Sequence, residues 1–167
     1  MTLHLNQQLT PLIEELNLQE QQQFIVHPLE KVRDLNSSCE ILEKYADTKW
    51  SIINLLNQKY KQNFDLCHWL DDNLDDEVSF FLNEAGSNCL NYSQFKAPYQ
   101  YHLWLGKDNF ILGIEQKGQG FNAEEVNKNR IKSNAGKAFE FFRNCKSKIF
   151  FDNPLNAKIV YFQWSKR

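Results

Sequence analysis

Between residues 78 and 92 apolar side chains recur at helical spacing. At about 100° per residue, Val78, Phe81, Leu82, Ala85, Cys89 and Tyr92 fall on one stripe. Glu77, Glu84, Asn88 and Asn91 form a second stripe beside the first, so these polar residues border the core instead of opposing it. The helix is expected to open at Asp75 or Asp76, acidic residues that suit the positive end of its dipole. Upstream, Leu29, Val32, Leu35, Cys39, Leu42 and Tyr45 also recur at helical spacing, after a short β-prone run at 24–28 stopped by Pro28. A further helix is expected at 47–60, capped by Asp47 or Thr48, and a turn or short acidic helix at 63–76. Residues 10–23 are rich in glutamine and open with Thr10-Pro11, which predicts a polar N-terminal helix.

The second half of the chain changes period. "YQYHLWLG" and "NFILGIEQ" read as two strands joined by a tight turn through Gly106, Lys107, Asp108 and Asn109. Residues 117–136 read as a polar loop with one helical turn at 123–127. A helix at 136–145 turns Ala138, Phe139, Phe142 and Cys145 inward, and a closing hairpin covers 148–164.

Composition narrows the class. With 167 residues, 42% hydrophobic and 14% aromatic, the chain has material for one domain with a full core, and it carries no long Gly- or Pro-rich linker. A net charge of −2 gives no long-range attraction to nucleic acid or acidic membrane, so neither is an expected partner. Cys39, Cys67, Cys89 and Cys145 form no C-x-x-C pair, which favours buried free thiols in a reducing compartment. No run of 18 apolar residues occurs and the start of the chain has neither a basic nor a continuous apolar stretch, so a cytoplasmic protein is expected. His27, His68 and His102 stand on separate elements and read as structural, as do Trp104 and Trp164.

Three short motifs then stand in a meaningful order: Glu84-Ala85-Gly86-Ser87-Asn88 in the helix, Gln116-Lys117-Gly118-Gln119-Gly120-Phe121-Asn122 after the second strand, and Asn134 to Phe139 before the next helix. Over residues 24–164 this resembles the GHKL ATPases, and most of all their anti-sigma-factor serine kinases. In that family an E-A-x-x-N box is followed by D-x-G-x-G-F-D and then G-x-G-L. Tyr92 stands at the family's histidine position, Gln116 at its adenine-binding aspartate, and the third motif keeps a single glycine.

The resemblance implies an α/β (α+β) two-layer sandwich, with helices on one face of a mixed, mostly antiparallel sheet (the Bergerat-type ATP-binding fold). Residues 1–23 would be a helical extension and 24–167 the domain, with a helical insertion at about 47–72. It implies ATP and Mg²⁺ as cofactors. Asn88 would hold the metal and Glu84 would act as catalytic base, while Gln116, Gly118, Gly120, Asn134, Gly136 and Lys137 would bind the nucleotide. The residue types suit those tasks: an amide oxygen binds Mg²⁺, a carboxylate takes a proton, and glycines let backbone approach a ligand. The partner would be a sigma factor, an antagonist or a response-type regulator, with a homodimer also compatible. Three functions stay open: a small ATP-binding regulator or serine kinase, a non-catalytic module that keeps the scaffold and binds a protein, and a plain α/β binding module whose motif matches are chance. A solvated polar flank explains Glu84 and Asn88 equally simply, and Lys128, Arg130 and Lys132 suit either phosphate contact or a solvated loop.

Overall fold

The computed structural model describes residues 3–26, 37–93, 95, 98–134 and 136–167, though not the side chains of residues 89–92 and 99. The alternating runs form the middle of a six-stranded sheet. Its strands are β1 (Leu3–His4), β2 (Glu20–Ile25), β3 (Pro98–Leu105), β4 (Asn109–Gln116), β5 (Lys148–Phe150) and β6 (Ile159–Ser165), in the spatial order β1-β5-β6-β4-β3-β2. Only β1 and β5 run parallel; every other pair is antiparallel. The expected sheet, mixed and mostly antiparallel, is therefore present.

Side chains alternate across a strand, so the sheet has two distinct faces. Leu103, Leu105, Phe110, Leu112 and Phe162 point to one, where they meet α3 (Ala46–Tyr60), α4 (Glu77–Tyr92) and α6 (Lys137–Asn144). That contact is the main core and makes the two-layer sandwich. Each fully buried phenylalanine in it, such as Phe81 or Phe110, contributes about 1.5–3 kcal/mol. Trp104, Ile111, Phe150 and Tyr161 point the other way and are covered by a short helix, α1 (Leu9–Glu15), through Leu12 and Leu16. Gly106 makes room for this crossing, since a Cβ there would stand 2.5 Å from the carbonyl oxygen of Leu16.

Several local expectations are corrected. The helix predicted over 10–23 ends at Glu15, and its glutamines belong to strand β2 at the sheet edge. The polar loop at 117–136 contains a full helix, α5 (Ala123–Ser133), capped by the Asn122 side chain, which accepts from the backbone N–H of Glu125. Cys39 and Cys67 are free but exposed, and only Cys145 fits the buried-thiol reading among those described. His27 and most of the helix expected from residue 29 lie outside the described residues; its last turn is α2 (Ser38–Glu43). Among the described residues, no helix is long and apolar enough to cross a membrane.

Candidate functional site

The carboxylate of Asp76 opens α4, accepting from the backbone N–H and the hydroxyl of Ser79 at 3.0 and 2.8 Å. From Val78 to Gly86 every residue of the helix is then buried. Phe81 stacks on Phe162 of the sheet at 5.1 Å, and Phe80 meets Phe141 of α6 at 5.9 Å. A short 3-10 turn, Leu66–Trp69, covers a third side. The polar stripe is thus not a solvated flank over this length.

Glu84 is 9% exposed, and its Oε1 accepts from the indole Nε1 of Trp69 at 2.7 Å. Burial raises its pKa above the ordinary carboxylate value, opposed by the Trp69 hydrogen bond and the nearby charge of Lys137. Next to it, Asn83 is fully buried. Its Oδ1 accepts from Lys49 Nζ at 3.0 Å and its amide donates to the Leu66 carbonyl at 3.3 Å. Lys49 also donates to the Ile41 carbonyl at 3.1 Å, and burial lowers its pKa to about 7. Sequence reasoning missed this buried lysine, because a lysine one turn into an amphipathic helix reads as surface.

The residues assigned by resemblance do not converge on one cavity. Glu84 and Lys137 line a cleft of about 710 Å³ between α4, α6 and the 3-10 turn. Asn88 and Gln116 line a separate pocket of about 10 Å³, walled by Phe121, Phe142 and Phe151. Such a volume holds about one water, whereas ligand sites run to roughly 300–1,000 Å³. Gln116 is turned into its own loop, its amide donating to the Gln119 carbonyl at 2.8 Å.

The glycines have local duties. Gly118 adopts φ 92°, and Gly120 lies against Asn156 where Phe121 bridges to Ala157. Asn134 ends α5 with φ 49°. Gly136 precedes α6 with φ 88° and packs against the Arg130 side chain. Neither Asn134 nor any of the three glycines lines either cavity.

The pocket that Asn88 shares with Gln116 is too small for a Mg²⁺ that keeps several waters. Among the described residues no group of three or more His, Cys, Asp or Glu stands together as a metal site.

The cleft has its own chemistry. Leu70, Leu74, Phe80 and Phe141 supply apolar surface to it. Five carboxylates (Asp72, Asp75, Glu77, Glu84 and Glu140) line it against two lysines, Lys137 and Lys146. Glu77 is also a structural clamp: its carboxylate accepts from the backbone N–H groups of Lys146 and Ser147, tying α4 to the start of β5. Trp69, Leu74 and Phe141 were not singled out from sequence; the acidic run at 71–77 with one leucine inside it was the available signal. Compared with known protein families, curated proteins and solved structures, the chain matches none.

Proposed function

We propose that the chain is a regulatory protein-binding module on a scaffold like that of the histidine-kinase-like ATPases, without a working nucleotide site. One observation carries this reading: Glu84 and Lys137 face the 710 Å³ cleft, while Asn88 and Gln116 face a 10 Å³ pocket filled around by phenylalanines. A triphosphate would meet five carboxylates in the only one of these two cavities large enough to take it.

A second reading, an ATP- and Mg²⁺-binding regulator of the anti-sigma serine kinase type, is favoured by the placing of Glu84 and Asn88 one turn apart on α4, with Lys137 close enough to stabilise the Glu84 carboxylate. Its partner would be a sigma factor, an antagonist or a response-type regulator. Calorimetric titration with ATP and ADP, with and without Mg²⁺, separates the two. No heat and no thermal shift at millimolar nucleotide is the expected result. A Mg²⁺-dependent rise in Tm that Asn88→Ala abolishes would establish the second reading instead.

A further inference from the structure

The 710 Å³ cleft does not stand alone. A second hollow of about 220 Å³ lies beside it, lined by Phe64, Val78 and Trp164, and the two share Leu74, Asp75, Glu77 and Lys146 as a common wall. They flank the first turns of α4. From Glu77 to Glu84 that helix rises about 10 Å, so the larger hollow runs for about two helical turns. Leu74 stands on the shared wall 68% exposed, and Leu70 is 40% exposed. Apolar side chains held in the open at the edge of a cleft mark a binding surface better than scattered ones do.

Charge selects the occupant. The larger hollow carries five carboxylates against two lysines, and the smaller one adds Arg167, so carboxylates outnumber cations along the double hollow. Low-dielectric walls focus such a field, which repels phosphate-bearing ligands and attracts cations. Apolar side chains and exposed carboxylates along one cleft are complementary to a helix that presents leucine-like anchors on one side and Lys or Arg beside them.

We propose that this double hollow is the docking groove for a basic amphipathic helix of a partner protein. The helix would set two apolar side chains on either side of Leu74 and place cations opposite Asp72 and Glu140. The proposal rests on the protein-binding reading above and names the chemistry of the partner.

The probe is a synthetic amphipathic peptide of leucines and lysines, with a control in which every lysine is glutamate. Binding is followed by tryptophan emission, since Trp69 lines the groove, and located by amide hydrogen exchange. The lysine peptide should bind and slow exchange in α4 and α6. Its affinity should fall at least tenfold in the variant carrying Asp72→Asn and Glu140→Lys. Both residues are exposed, so the fold is kept, and circular dichroism checks it. The glutamate peptide should not bind.

Equal binding of both peptides, unchanged affinity in the variant, or protection confined to another face would each overturn the proposal. So would a dimer in sedimentation that Leu74→Glu dissolves, because the groove would then belong to a second copy. Nucleotide calorimetry tests the other reading separately. A Mg²⁺-dependent nucleotide shift removes the non-nucleotide reading while the peptide still decides the groove; a partner protecting only a different face removes the groove and leaves that reading intact.

Discussion

The indole N–H of Trp69 and the carboxylate of Glu84 meet at 2.7 Å and join the 3-10 turn to the buried helix α4. The contact makes Glu84→Gln and Glu84→Ala behave differently. Glutamine keeps an acceptor and removes a desolvated charge, so stability at pH 7 should hold or rise. Alanine leaves the indole N–H without its acceptor and should cost about 1 kcal/mol. Because the folded carboxyl has a raised pKa, the folded state binds its proton more tightly than the unfolded chain. The stabilisation is complete below the ordinary carboxylate range and is lost as pH rises through the raised value. Urea titrations from pH 4 to 7 should show this fall in the wild type relative to Glu84→Gln; parallel curves would refute it.

Lys49 has the opposite pH signature. Its folded pKa lies at about 7 against an ordinary 10.5. Between those values the unfolded chain holds a proton that the folded state has released, so raising the pH favours folding; below about 7 the burial penalty is full and flat. The stability of the wild type relative to Lys49→Met should therefore rise from pH 7 to pH 9.5. A constant difference would mean that the ammonium finds solvent in the folded protein.

Tyr45 has a buried hydroxyl with no hydrogen-bond partner among the described residues, in a residue at φ 56°. Removing the hydroxyl removes its desolvation cost. Tyr45→Phe should raise stability by about 1 kcal/mol, read as a higher urea midpoint at constant m-value. A loss of similar size would show that the hydroxyl has a partner.

The loop after β4 separates a packing role from a ligand role. A Cβ on Gly120 would stand 2.8 and 2.9 Å from the backbone carbon and oxygen of Asn156. Gly120→Ala should lower stability by about 1–3 kcal/mol, with or without nucleotide. Gln116→Asp deletes the donor to the Gln119 carbonyl and places a carboxylate in a site only 8% exposed, so it too should destabilise. Tighter ATP binding in Gln116→Asp would instead restore the adenine contact that the resemblance implies.

Elements whose sequence period matched their burial were legible. In α4 the stripe from Val78 to Ala85 is the core face, and the central hairpin pairs with Tyr101 opposite Ile114 and Leu105 opposite Phe110. Only the end of β2, at Phe24 and Ile25, was legible; its glutamines were not, because an edge strand of glutamines has no buried partner to impose alternation, and Glu and Gln favour helix. Helix α5 escaped because it buries only Ala123 and Asn127 fully; the capping signal of Asn122 with Glu125 was there to be read. At the site, Glu84 and Asn88 stand one turn apart on α4, as the sequence spacing implies, and that turn of separation sends them to different cavities. The cleft joins residues from 38 to 146, and no local pattern reports a wall assembled from such distant pieces.

Strands β1 and β2 lie at opposite edges of the sheet, and α1 crosses beneath it between them. Residues 3–25 therefore act as a strap that is threaded early and buckled late. During synthesis they precede their partners: β2 has no strand to join until residues 98–105 are made, and β1 has none until residues 148–150. Until both edges are paired the cover over Trp104 and Ile111 is not held at both ends, so closure of the strap waits on the longest loops in the fold.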